Sequence, residues 1–98
     1  MSAMASSSSA PAVTIYRTSS CPYCVMAARL FDRKGVAYQE IHLDGKAAER
    51  AALQARTHWQ TVPQIFVGET FVGGYTDVAA LDRSGELDRM LAALGDPA

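Results

Sequence analysis

Val13-Thr14-Ile15-Tyr16, followed after Arg17-Thr18-Ser19-Ser20 by Cys21-Pro22-Tyr23-Cys24, is the stretch on which the fold turns. Val13 to Tyr16 is a β-branched and aromatic run that reads as a strand. Thr18, Ser19 and Ser20 break it with helix-starting chemistry, and Pro22 suits a first helical turn, where no N–H partner is needed. From Pro22 to Lys34 the apolar Ala27, Leu30 and Phe31 fall at i, i+3 and i+4, and Gly35 follows where a left-handed cap is wanted. The Cys pair therefore lies where a strand passes into a helix, the context that turns a bare C-x-x-C spacing into a redox reading.

Working outward, Tyr38 to Leu43 alternates as a second strand, Asp44 is a candidate cap, and Ala48, Ala51, Ala52 and Ala55 line one face of a second helix. Beyond Pro63, Gln64 to Val67 and Thr70 to Val72 read as a hairpin across Gly68 and Glu69, stopped by Gly73 and Gly74. Thr76 is a candidate cap for a helix from Asp77 to Ser84, which Gly85 ends. Leu87, Met90, Leu91 and Leu94 mark a last helix, stopped by Gly95. The fold class is α/β, a four-stranded mixed sheet with helices on both faces.

At 98 residues there is room for one domain. It is expected over residues 13–95, behind a disordered leader or expression remnant at 1–12, where no charge or aromatic occurs and Ser6 to Ser9 run together. A net charge of -1 offers no positive field for phosphate backbones or acidic lipids, so neither nucleic acid nor membrane is an expected partner. No apolar run reaches the ~18 residues of a membrane span, no secretion signal stands at the N-terminus, and two cysteines cannot build a disulfide-dense scaffold. The expectation is a cytoplasmic protein, working as a monomer.

Cys21 at a helix N-terminus meets unpaired backbone N–H groups and the positive end of the dipole, a setting that favours the thiolate. Greater ionisation and lower nucleophilicity nearly cancel in the attacking step, so the main benefit falls to Cys21 as a leaving group. Cys24 lies one turn inside, on the same side. An incidental disulfide or half a zinc site is the alternative. His42 and His58 would have to complete that site, and their separation does not match the usual ligand spacing, so no metal is expected.

With Cys21-Pro22-Tyr23-Cys24, Thr61-Val62-Pro63 and Gly73-Gly74 followed by Asp77 in order, the chain resembles a dithiol glutaredoxin over about residues 13 to 94. The resemblance implies a thioredoxin-like fold and glutathione-dependent reduction of protein-glutathione mixed disulfides and protein disulfides. Glutathione would be the reductant and co-substrate, and glutathionylated or disulfide-bonded proteins the partners. Cys21 would be the nucleophile and Cys24 the resolving thiol. By the same analogy the Val62-Pro63 bond is cis, and Val62 pairs with the glutathione backbone as a short strand addition. Gly74, Thr76 and Asp77 would hold the γ-glutamyl group, helix N–H groups taking its carboxylate and Asp77 its ammonium. Tyr23, Gln60, Thr61 and Pro63 complete the expected contacts, with Thr18 and Arg17 at the glycine end.

The chain departs from the family pattern at several positions. Thr18 stands where many members carry a Lys that pairs with the glycine carboxylate, and Arg17, beside it in an extended segment, points to the other side. Trp59 and Gln60 stand where an Arg is frequent. Trp59 is read as packing more than as a ligand contact. Tyr75 and Thr76 replace small and acidic residues. Two alternatives stay open. One is a glutaredoxin-like redoxin reduced by thioredoxin reductase, against which Asp77 and Thr61-Val62-Pro63 argue. The other is a glutaredoxin that binds an iron-sulfur cluster between two chains, against which Pro22 argues by stiffening the loop.

Overall fold

A computed structural model describes residues 11–95. Its elements are β1 (Val13–Arg17), α1 (Pro22–Lys34), β2 (Tyr38–His42), α2 (Ala47–Thr57), β3 (Gln64–Val67), β4 (Thr70–Gly73), α3 (Tyr75–Ser84) and α4 (Glu86–Gly95). The strands form one sheet in the order β2-β1-β3-β4. β1 runs parallel to β2, with Val13 opposite Tyr38, and antiparallel to β3, with Ile15 opposite Ile65. β3 and β4 are the expected hairpin. The four-stranded mixed sheet read from the sequence is the one observed.

Alternation along the strands separates the two faces. Val13, Ile15, Ile65 and Val67 meet Ala27, Leu30 and Phe31 of α1, Val78 of α3 and Leu87 of α4 in the main core. Phe66, one residue out of step with Ile65 and Val67, points the other way and packs with Leu43 and with Leu53 of α2, flanked by Tyr16, Ile41, Val62 and Phe71. Helices thus cover both faces. α1 ends at Gly35, whose φ of 69° is the left-handed conformation that glycine adopts without a Cβ penalty. Beside it, Lys34 Nζ reaches Asp82 at 2.7 Å and Asp88 at 2.8 Å, tying the end of α1 to α3 and α4.

Four local expectations need correction. The alanine face of α2 is outward: Ala48, Ala51, Ala52 and Ala55 are exposed, and Leu53 is the residue buried. One large side chain removes more apolar area from water than several methyl groups, so Leu53 sets the rotation of the helix. Asp44 does not cap α2, which starts after Lys46 with no side-chain cap. Its carboxylate instead accepts the Ser19 N–H at 3.0 and 3.1 Å, tying the loop before Cys21 to the loop after β2. That N–H holds the Asp44 carboxyl below its usual range. Gly74, not Thr76, is the N-cap of α3, because Asp77 in the third helical position reaches back to the Gly74 N–H at 3.0 Å. Gly95 is the last residue of α4 rather than a stop beyond it. Of the expected leader, residues 1–10 lie outside the described residues, while Ala12 packs on the core and its carbonyl accepts the Gly68 N–H at 2.8 Å.

Candidate functional site

Cys21 is the N-cap of α1, extended at φ -92° and ψ 109°, so its sulfur turns back over the first helical turn. The sulfur accepts the Cys24 N–H at 3.2 Å, the capping bond that Ser or Asp supplies at other helix starts. Its S–H donates to the Val62 carbonyl at 3.7 Å, placing the thiol against the segment that precedes β3. Both cysteines are free thiols, Cys21 half-buried and Cys24 buried. Burial, and then the hydrogen bond with the Cys21 sulfur, push the Cys24 thiol up to about 12. The two thiols are therefore unequal: the outer one borders solvent and helix N–H groups, while the inner one keeps its proton at neutral pH.

Next to Cys21 opens a cleft of about 260 Å³ lined by Tyr23, Trp59, Thr61, Val62, Pro63, Gly74, Tyr75, Thr76 and Asp77. One wall is the loop into β3, where the Val62-Pro63 bond is cis. The opposite wall is the start of α3, whose Tyr75 and Thr76 N–H groups, like those of any first helical turn, have no intrahelical acceptor. Asp77 stands there with Oδ2 on the Gly74 N–H. Gly73, at φ 111°, is packed so closely that a Cβ would lie 2.5 Å from that Oδ2. Tyr23 stacks on Tyr75 with ring centres 6.2 Å apart, joining the start of α1 to that of α3.

The loop wall is held from beneath by Gln64, which is 1% exposed. Gln64 Nε2 donates to the Trp59 carbonyl at 2.7 Å, and its Oε1 accepts from the Thr57 hydroxyl at 2.8 Å. Thr57 Oγ1 in turn accepts the Trp59 N–H at 3.2 Å. His58, between them, takes a left-handed turn at φ 59° that closes α2 and aims the chain into the cleft. Trp59 packs edge-on against Phe71 with ring centres 5.6 Å apart.

Of the expected glutathione contacts, Tyr23, Thr61, Val62, Pro63, Gly74, Thr76 and Asp77 line this cleft, and Thr18, Arg17 and Gln60 do not. Arg17 is 9% exposed, and its Nη1 pairs with Glu40 at 2.8 Å on the α1 side of the sheet. That follows from strand alternation, which puts Arg17 in step with Val13 and Ile15. Gln60 is exposed, and its carbonyl accepts from Gln54 at 3.4 Å. Trp59, read as packing, both packs and lines the cleft. Tyr75 lines it too, and Gln64 is a further residue that the sequence reading passed over. Its signal was faint: a Gln one place after a Pro, opening a strand whose every residue is buried. Among the described residues no group of three or more His, Cys, Asp or Glu side chains gathers as a metal-ligand set, and no helix is long and apolar enough to cross a membrane.

The family model described as Glutaredoxin matches residues 13–72. The chain is 53% identical over 83 residues to a glutaredoxin of Pseudomonas aeruginosa, covering 85% of this chain and 99% of that protein. It is 46% identical over 79 residues to glutaredoxin 3 of Escherichia coli strain K12, covering 81% and 95%. Among solved structures, the buckwheat glutaredoxin-glutathione complex superposes with a TM-score of 0.82 at 35% identity, over 90% of this chain and 83% of that one.

Proposed function

Since this chain belongs to the glutaredoxin family and is thereby a thiol-disulfide oxidoreductase, we propose that its reductant is glutathione and that it acts on protein-glutathione mixed disulfides and protein disulfides. One observation carries the reading. The cleft beside Cys21 joins a helix start with free N–H groups and a carboxylate, Asp77, to the backbone of Val62, which touches the Cys21 thiol. A γ-glutamyl group, carrying one carboxylate and one ammonium, complements the first pair, and the cysteinyl backbone of the tripeptide complements the second. The glutathione named in the buckwheat complex supports the same ligand.

In the reaction, Cys21 thiolate attacks the glutathionyl sulfur of the mixed disulfide. The protein thiolate leaves and takes up a proton. A second glutathione, as its thiolate, then attacks the glutathionyl sulfur on Cys21, giving glutathione disulfide and returning the Cys21 thiolate. With a protein disulfide, Cys21 forms the mixed disulfide and Cys24, losing its proton, attacks the Cys21 sulfur. The reduced protein leaves behind a Cys21-Cys24 disulfide, which two glutathione molecules reduce. The setting is proposed to be the cytoplasm and the working form a monomer.

The test is a coupled assay on a small glutathione mixed disulfide, with glutathione and its reductase in one arm and thioredoxin reductase alone in the other. Turnover is expected in the first arm only. Cys21→Ser is expected to abolish it and Cys24→Ser to retain it. Equal loss in both variants contradicts the assigned roles.

A further inference from the structure

Four large apolar side chains are exposed among the described residues, and three of them, Tyr23 (57%), Val25 (37%) and Met26 (41%), fall on the first turns of α1 beside Cys21. At 100° per residue Pro22, Met26, Arg29 and Arg33 lie in one line along the helix, opposite the buried Ala27 and Phe31, with Val25 bordering it. Arg29 and Arg33 are exposed and make no ion pair among the described residues. The other charges of the helix are engaged: Lys34 holds Asp82 and Asp88, and Asp32 accepts the Tyr38 hydroxyl at 2.9 Å. The outer face of α1 is thus apolar next to the reactive thiol and cationic further along.

We propose that this strip docks the polypeptide around the modified cysteine of substrate proteins, and that it selects segments with an apolar residue near that cysteine and carboxylates further along. The proposal rests on the glutathione reading for its chemistry, and the strip, made of Pro22, Val25 and Met26 with Arg29 and Arg33 beyond, lies outside the cleft that would hold glutathione, which Tyr23 lines. The spacing follows from helix geometry. At about 1.5 Å rise per residue, Met26 stands about 7.5 Å, Arg29 about 12 Å and Arg33 about 18 Å along the axis from Cys21. An extended segment covers about 3.3 Å per residue, so the apolar residue belongs about two positions from the cysteine and the carboxylates about four to six. The protein's net charge is -1, so a preference for acidic segments comes from this strip and not from the overall field.

The experiment uses three glutathionylated peptides with Leu two residues to each side of Cys and with Glu, Gln or Lys at the fourth to sixth positions on both sides. Their kcat/KM is measured with glutathione as reductant, and glutathionylated cysteine is the small reference substrate. Two exposed charge pairs lead us to expect the acidic peptide to exceed the basic one by about 3- to 30-fold at low salt, the gap narrowing as salt is added. Arg29→Glu with Arg33→Glu is expected to invert the order and leave turnover of glutathionylated cysteine unchanged. Met26→Ser is expected to weaken all three peptides alike. Titration of the same peptides with Ser in place of Cys reports docking without turnover. If glutathionylated cysteine is not turned over while the titrations keep the acidic preference, the glutathione reading fails and the docking strip stands. Peptides that bind and react within twofold of one another, or an order that survives the charge reversal, overturn the proposal.

Discussion

Gln64→Leu removes the side chain that fastens the loop wall of the cleft to the sheet, at nearly constant volume. It deletes the 2.7 Å bond to the Trp59 carbonyl and the 2.8 Å bond from the Thr57 hydroxyl. Thr57 Oγ1 keeps the Leu53 carbonyl as acceptor at 3.1 Å and the Trp59 N–H as donor, so it is not orphaned. The part-buried Trp59 carbonyl loses this donor, at a cost of about 1 to 2 kcal/mol, the lower part of the range for an unpaired acceptor. At a urea slope of about 1 to 2 kcal/mol per molar for a domain of this size, the unfolding midpoint should fall by roughly 1 M. The function should move with it. Residues 57 to 62 carry Trp59, Thr61 and Val62 into the cleft, so KM for a glutathione mixed disulfide should rise several-fold. Thr57→Val loosens the same loop through the Trp59 N–H, and because the two side chains bond directly, the double variant should lose less than the sum of the singles. Strict additivity with an unchanged KM would refute the claim that Gln64 positions the loop.

Three further outcomes follow from the site. Asp77→Asn should keep the cap on the Gly74 N–H and the urea midpoint but lose the charge, whereas Asp77→Ala should lose both; each should weaken the glutathionyl moiety by about 10- to 150-fold in KM, the worth of a well-made hydrogen bond to a charged group, and Thr18→Ala should be near silent. Gly73→Ala places a Cβ 2.5 Å from the Asp77 carboxylate at a φ of 111°, so it should lower the thermal midpoint and KM should rise as in Asp77→Ala, with near-wild-type behaviour counting against the proposed role of that carboxylate. Burial alone pushes the Cys24 thiol up, so its attack on a Cys21 mixed disulfide should keep rising with pH past the ordinary thiol range, read by quenched single turnover, with a plateau below pH 8 counting against it; in the free dithiol Cys24 is pushed up to about 12 while the unfolded chain gives up that proton near the ordinary 9.0, so stability should fall as pH rises from 9 towards 12, and less so in Cys24→Ser.

The sheet and the dithiol were legible because their signals are local. A β-branched run, a Pro in the first helical turn and a Gly at the left-handed stop each act within a few residues, and β1, α1 and Gly35 stand where they were expected. What escaped depends on partners distant in sequence. The rotation of α2 is set by Leu53 against Phe66 across the sheet, which the alanine spacing within the helix could not disclose. Asp44 has cap chemistry but meets Ser19, brought beside it by the parallel pairing of β1 and β2. Gln64 reads as a polar residue at a strand edge until the turn at His58 folds Thr57 and Trp59 back over it. Arg17 was open to reading in advance: strand alternation sends it to the core side with Val13 and Ile15, where Glu40 receives it.

The departures from the family pattern act together. Where the family pattern expected from the sequence has a Lys before the first Cys and often an Arg before Thr-Val-Pro, this chain has Thr18 and Trp59-Gln60, and two neighbouring cations are engaged elsewhere: Arg17 with Glu40, and Arg56 over the Phe66 ring at 5.1 Å. The cleft is instead walled by aromatic side chains, Trp59 on Phe71 at one side and Tyr23 on Tyr75 at the other. Charge is thereby concentrated at one end of the cleft, on Asp77 and the start of α3. Apolar contact is not screened by salt, whereas exposed ion pairs are screened over about 10 Å at 0.1 M. On the proposed glutathione reading, the tripeptide would be held by one charged end and an aromatic flank, which would leave the surface cations Arg29 and Arg33 to discriminate among the polypeptides that carry it.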